Sequence, residues 1–331
     1  MDTRKVQMTG GSSLMITLPK EWTEIAGVKK NDTLNLYPQQ DGTLLISSLG
    51  EQSKEPAVKR IDTDGIRDPD MLFRMLVGAY ISGYKMIEVC SSTKISGKLR
   101  DVAETVTQAA IGIEIIEEYD DRLILKDLVD PYEMRMDRTA ERMRSLVHNM
   151  LTEVMDGLAN SDASSMDVIA ARDDDVDRLE WLVVRQTNMA LDDPTICRKI
   201  GMTQKEMVTY YTICRIIERI GDHVLMISKN AKILLNNASN KELIADIVLI
   251  GRALNDTFIG SIKALSEKNI KSANGMIEEC VRLVDRCRMI NVHAMNETFD
   301  SALAATMIAG SLGRIGEYSM DIAEHAINIA V

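Results

Sequence analysis

The sequence predicts a mainly α protein: a six-helix bundle made of two three-helix repeats, preceded by a small α/β segment and a short strand-rich head. Three observations carry this. From residue 131 onward, apolar residues recur with the helical period, and the breaks between runs are short and polar. Aromatics make up only 4% of the chain while methionine occurs 21 times. Leu, Ile, Val, Met and Ala must therefore fill the core, which suits helix-on-helix packing and disfavours a β-sandwich. Finally, the helical part repeats itself: VDRLEWLVVRQT (176–187) is echoed by VDRCRMINVHAM (284–295), and ERIGDHVLMI (218–227) by GRIGEYSMDI (313–322). Duplication of a three-helix unit is the simplest account.

The composition narrows the class further. Hydrophobic residues at 45% and charged residues at 27% indicate a globular chain of two or three domains. A formal net charge of −11 argues against a chain that coats nucleic acid and is compatible with binding cations. No apolar run approaches the roughly 18 residues of a membrane span, and MDTRKVQMTGG carries no apolar signal core, so a cytoplasmic location without membrane insertion is expected. Five scattered cysteines without a CxxC pair predict buried thiols in a reducing compartment, with no disulfide framework and no cysteine zinc site.

Residues 1–49 form the first segment. SLMITLP alternates Leu14, Ile16 and Leu18 with polar or smaller residues and predicts a half-buried strand. Pro19 ends it and starts a short helix, KEWTEIAG, stopped by Gly27. DTLNLYPQQDGTLLISS then predicts two strands joined at Asp41–Gly42. So small a segment with few large side chains does not easily bury a core alone, so pairing with a second copy is expected. The order strand, ITLPKEW, GVKKNDTLNLY and DGTLLI resembles the SpoVT/AbrB swapped-hairpin family over residues 4–48, with Asn31 where the family usually has Gly. The resemblance implies an intertwined homodimer and a DNA-binding face, with Arg4, Lys5 and Lys20 as candidate phosphate contacts, and Lys29 and Lys30 behind them. Five basic residues against five acidic ones in residues 1–50 leave no net charge. DNA binding and plain dimerisation therefore both stay open.

GEQSKEPAVK (50–59) predicts a linker. Residues 58–130 predict a small α/β domain of β-α-β-α-β-β order: VKRI, a helix with Leu72, Met75, Leu76 and Ala79 on its apolar face, KMIEVC, the helix ISGKLRDVAETVTQAA, and the strands IGIEIIEE and DRLILKDL around Asp120–Asp121. It has no glycine-rich phosphate loop and its residues name no chemistry, so a spacer or a small-ligand domain is expected. In residues 131–331, Pro131 predicts the start of a helix running to Asn160. Five more long helices follow, the next beginning at SSMDV.

Three pairs of acids at i, i+4 stand out in the bundle: Asp173 with Asp177, Glu218 with Asp222, and Glu317 with Asp321. This spacing stacks two carboxylates on one helix face, where like charges cost about 0.2–0.5 kcal/mol in water and more in a dry site. Facing carboxylates are how helical bundles hold hard or borderline cations such as magnesium, manganese or iron. Plainer readings also fit: a solvated acidic face at RDDDVD, ion pairing of Glu218 and Asp222 with Arg215, Arg219 or Lys229, of Glu317 and Asp321 with Arg314, and a packing role for His223.

ERIGDH followed by VLMIS in a duplicated three-helix bundle resembles the PhoU family of phosphate-uptake regulators over residues 131–331. The resemblance implies metal sites on a repeated E(D)xxxD motif, carried here by Glu218 and Asp222 with Asp173 and Asp177 on the preceding helix. The second half departs from it: Asp285 is kept, but Val281 and Gly313 stand where acids are expected, Glu317 replaces Asp, and Asp321 lies a turn further on. The implied cofactor is a metal cation (iron, zinc, manganese or magnesium). The implied function is regulation of phosphate uptake through contact with a phosphate transporter or its sensor kinase, and of transcription through the head. It is not an enzyme on this reading; a metal-dependent phosphoester hydrolase and a metal-free oligomeric scaffold are the alternatives.

Overall fold

The structure, a computed structural model, describes residues 2–38, 42–48, 58–129, 133–193, 195–237 and 240–331. The expected turn residue Asp41, most of the expected linker and Pro131 lie outside them. The chain divides into two units, Met1–Ala57 and Val58–Val331.

The first unit is built of two hairpins and a short helix. β1 (Gln7–Thr9) pairs antiparallel with β2 (Ser13–Met15). The strand expected over SLMITLP is therefore shorter, stopping before Ile16, and it gains a partner the alternation did not announce. Gly10 and Gly11, with φ of 63° and 87°, make the turn between them. α1 (Lys20–Ile25) follows Pro19 and ends before Gly27. β3 (Leu34–Pro38) and β4 (Leu44–Ser48) form the second hairpin. Asn31 has φ of 76°, so the residue that departs from the family's glycine is one that tolerates the same left-handed backbone. No described residue of this unit is buried: Met8, Leu14, Ile16 and Leu36 are all exposed.

The second unit starts with β5 (Val58–Asp62), so Val58 and Lys59 belong to a strand rather than to the expected linker. α2 (Pro69–Ile81), β6 (Met86–Cys90), α3 (Gly97–Ala109), β7 (Ile113–Glu118) and β8 (Arg122–Asp127) complete a sheet of order β5-β6-β8-β7. β5 and β6 are parallel and the other pairings antiparallel. Leu72, Leu76, Ile87, Val89, Val106 and Leu125 form its buried core.

Six long helices follow: α4 (Met136–Asn160), α5 (Ile169–Asp192), α7 (Gln204–Asn236), α8 (Lys241–Glu267), α9 (Ile270–Ala294) and α10 (Phe299–Ala330), with a short α6 (Thr195–Ile200) that the periodicity did not predict. α4 starts at Met136, five residues past the expected proline start. SSMDV is not the first turn of α5 but a 3-10 turn over Ser164–Met166. The long helices share a heptad seam. On α7, Ile213, Ile217, Ile220, Val224, Ile227, Ala231 and Leu234 are buried at alternating steps of four and three; on α10, Ser301, Ala305, Ile308, Leu312, Ile315, Ser319, Ile322 and Ala326 do the same. Caps fix the registers: Thr203 and Glu206 close a capping box on α7, and Asn240, Asn269 and Thr298 accept from the first turns of α8, α9 and α10.

The two three-helix repeats pack alike. Gly221 on α7 and Gly316 on α10 occupy matching places in the repeat. A Cβ on Gly221 would lie 3.8 Å from Val176, and one on Gly316 2.7 Å from Val284, the same valine of each repeat. Each glycine lets the third helix of its repeat approach the second closely.

The α/β part is tied to the bundle by α5. Arg185, 1% exposed, pairs with Asp127 at 2.6 Å and donates to the Tyr80 and Tyr84 carbonyl oxygens. Asn188 donates to Ile81 O at 2.7 Å, and Trp181 packs edge-on against Phe73.

Candidate metal centre

Helices α5 and α7 bring four of the acids singled out from the sequence to one place. Asp173 and Asp177 lie one turn apart on α5, and Glu218 and Asp222 one turn apart on α7. Gly221 draws the helices together: its Cβ position lies 3.2 Å from Asp173 Oδ1. Asp173 is 7% exposed, Asp177 and Glu218 are half-buried, and Asp222 is exposed.

Burial and mutual repulsion disturb these groups strongly. Asp173 is pushed up to about 7, first by burial and then by the charges of Asp222, Asp174 and Glu218. Asp177 is pushed up to about 7 by burial, Asp173 and Asp222, and Glu218 to about 7 by burial, Asp222 and Glu180. Among the described residues no lysine or arginine pairs with any of the four, and no hydrogen bond reaches the Asp173 carboxylate. The arginine expected as a counter-charge is taken elsewhere: Arg215 donates to Glu180 Oε1 at 2.8 Å, and Glu180 is itself 3% exposed. Sequence reading missed Glu180, although it lies one turn beyond Asp177.

The remaining candidates have other surroundings. Asp285 on α9 pairs with Arg288 at 3.0 Å, and Glu317 on α10 with Arg314 at 2.8 Å. Asp321 is exposed; burial, Glu324 and Glu317 raise its pKa, while His325 and Arg219 oppose the rise. His223 stacks against Tyr318 with ring centroids 5.9 Å apart, and burial lowers its pKa. In the first unit Arg4 pairs with Asp2 at 3.0 Å and Lys20 with Glu24 at 3.6 Å, and Arg4, Lys5 and Lys20 are all exposed.

As a donor set, Asp173, Asp177, Glu218 and Asp222 offer the oxygen ligands a hard cation takes: none of them makes an ion pair among the described residues, although the charge of Lys229 eases Asp173 and that of Arg215 eases Glu218. They do not yet converge. Among the described residues, no group of three or more His, Cys, Asp or Glu side chains is close enough to hold a metal ion.

Comparison with known proteins agrees with this architecture. Residues 140–231 match the PhoU domain family, and residues 7–56 match the family described as antidote-toxin recognition MazE, bacterial antitoxin. The crystal structure of the phosphate transport system regulatory protein PhoU from Streptococcus pneumoniae is similar at 16% identity and a TM-score of 0.50, covering 59% of this chain and 92% of that one. PhoU from Pseudomonas aeruginosa aligns at 17% identity and a TM-score of 0.48, covering 59% and 94%. No curated protein sequence matches. No helix among the described residues is long and apolar enough to cross a membrane. Within the helical bundle, residues 140–231 are thus similar to the PhoU domain, and near the N-terminus residues 7–56 are similar to the MazE antitoxin domain.

Proposed function

We propose that this chain is a regulator of phosphate uptake that binds a divalent cation between α5 and α7 and acts by contact with a component of a phosphate transport or phosphate-signalling system. The observation that carries the reading is the unpartnered acid quartet inside the PhoU domain: Asp173, nine-tenths buried without a hydrogen bond, beside Asp177, Glu218 and Asp222. Those four residues would hold the cation. Once bound, it supplies the positive charge that offsets their repulsion and fixes the two helix faces that a partner reads. No catalytic step is assigned to the site.

The head supports assembly as a homodimer. With no described residue buried, its apolar side chains gain cover from a second copy. Arg4, Lys5 and Lys20 are the cations such a dimer would offer to DNA, and transcriptional control through them belongs to the same proposal.

The test is a host strain carrying Glu218→Ala/Asp222→Ala in place of the wild-type chain, assayed for phosphate-transporter expression under phosphate excess and limitation. Loss of the phosphate response at unchanged protein level is expected, together with loss of metal from the purified variant by elemental analysis. An unaltered response in a strain lacking the chain altogether overturns the regulatory reading.

A further inference from the structure

A second seam runs along α10, outside the buried one. Asp300, Leu303, Met307, Gly310 and Arg314 recur at steps of three and four residues, and all are exposed. Between Asp300 and Arg314 no residue carries a charge. Phe299, Leu303 and Met307 are 81%, 52% and 43% exposed, and Met289 and Val292 of α9, which packs against α10, extend the apolar surface. The outer face of a helix that serves only its own chain is normally polar, and a contiguous apolar surface marks an interaction site. We infer that this stripe is the contact for a second copy of the chain, with the two α10 helices antiparallel about a two-fold axis at Met307.

The order of charges along the stripe is self-complementary. A two-fold axis at Met307 sets residues equally far before and after it against each other. Asp300 lies seven residues before Met307 and Arg314 seven after it, so each Asp300 meets Arg314 of the other copy. A parallel pairing would instead set Asp300 on Asp300 and Arg314 on Arg314. Among the described residues Asp300 makes no ion pair within its own chain. Arg314 pairs with Glu317 at 2.8 Å but stays 62% exposed, and its guanidinium has donors left for a second carboxylate. In the first repeat the matching positions of α7 are Lys205, Val208, Thr212, Arg215 and Arg219, where the same pairing would set Lys205 against Arg219.

Shape agrees with charge. A Cβ built on Gly310 or Gly313 would meet nothing within 4 Å, so neither glycine serves packing within the chain as Gly316 does. Each weakens the helix it sits in. Their missing side chains open a cavity of about 220 Å³ between α9 and α10, lined also by Val284, Arg288 and Asn291. At about 100° per residue, Phe299 and Gly313 fall on the same flank of the stripe, one before the axis and one after it. In the antiparallel pair the Phe299 ring of one copy lies over this cavity in the other, and Leu303 falls against Gly310: large side chains meet the gaps left by small ones.

The test is cross-linking of the full chain by a short bismaleimide. The native cysteines Cys90, Cys197, Cys214, Cys280 and Cys287 are buried, so an introduced thiol reports its own position. Met307→Cys, at the axis, should cross-link to itself about tenfold faster than Leu249→Cys, an exposed position on α8 that controls for pairing through the head. Asp300→Arg and Arg314→Asp, each added to the Met307→Cys chain, should slow the reaction about tenfold by setting like charges together, and the two combined should restore it. Gly313→Leu should slow it as well by filling the cavity, without disturbing the fold, because that space is open in the single chain. Met307→Cys reacting no faster than Leu249→Cys overturns the inference and leaves the stripe to a different protein. A double reversal as slow as either single one overturns the antiparallel pairing. Neither outcome touches the cation site, since no metal enters the measurement.

Discussion

The two repeats of the bundle share their packing and differ in their charges. Gly221 and Gly316 both bring the third helix of their repeat against the matching valine, Val176 or Val284, and both repeats carry buried heptad seams. The polar positions beside those seams have diverged. Glu180 and Arg215 bridge α5 and α7 at 2.8 Å; in the second repeat their places are taken by Arg288 and Gly310, and that of Glu218 by Gly313. Where the first repeat holds a crowded line of acids, the second has a cavity of about 220 Å³, bordered by Gly310, Gly313, Arg288 and Arg314. There Asp285 and Glu317 are answered by arginines of their own helices. Packing tolerates few alternatives because a lost or added methyl group is felt at once. Exposed charge is only weakly bound to stability, so it is free to diverge with function.

The largest effect should come where, among the described residues, α5 makes a buried charge pair to β8 and its counterpart α9 makes only an exposed one. Arg185 and Asp127 are 1% and 6% exposed, whereas His293, the counterpart of Arg185, meets Asp246 at the surface with 51% and 40% exposure. Asp127→Ala strands a buried guanidinium and should cost about 3–5 kcal/mol. Asp246→Ala should cost less than about 1 kcal/mol. Urea unfolding compares them directly. Equal shifts in the two variants would mean that the α/β part is not anchored through Arg185.

A smaller contrast is expected at the glycines. A Cβ on Gly316 meets Val284 Cγ2 at 2.7 Å and Leu254 Cδ2 at 3.1 Å, and the valine is stiff at χ1. Gly316→Ala should therefore lose about 1–3 kcal/mol to overpacking, more than the roughly 1 kcal/mol that alanine gains in helix propensity. At Gly221 the corresponding approaches are 3.2 Å to Asp173 and 3.5 Å to Val147, so Gly221→Ala should stay within about 1 kcal/mol of wild type. Reversal of this order in thermal unfolding would show that the closer approach at Gly316 is not what limits packing there.

Much of this architecture is legible in the sequence because it is periodic. The heptad seams, the β-α-β-α-β-β order and the stacked acids all follow from spacings of two, three or four residues. What depends on distant partners is not legible that way. Arg185 finds Asp127 across 58 positions, and nothing local to either announces it. Arg219 looks like a ready counter-ion for Asp222, and only Tyr318, from the other repeat, shows where it lies instead. Arg215 looked equally available to Glu218, but Glu180 on α5 takes it. The start of α4 escaped for a different reason: proline marks where a helix is able to begin, not where packing first rewards one, and the first buried side chain of α4 is Met136.

The smallest predicted effect is the most specific to the acids. In the metal-free protein Asp173, Asp177 and Glu218 titrate near 7 rather than at the ordinary 3.8 to 4.5. The folded chain thus holds protons that the unfolded chain releases between about pH 4 and pH 7. Linkage then requires stability to fall as pH rises through that window and to level off above it. Asp173→Asn removes the deepest of the three charges. Its melting temperature should match that of wild type near pH 4 and exceed it increasingly toward pH 8, and Mn²⁺ at pH 8 should reverse the order by stabilising wild type alone. Asp285→Asn in the second repeat, exposed and paired with Arg288, should show no such slope. Parallel pH profiles for Asp173→Asn and Asp285→Asn would mean that the acids of the first repeat are as well compensated as those of the second, and the contrast between the two halves would then be one of sequence without electrostatic consequence.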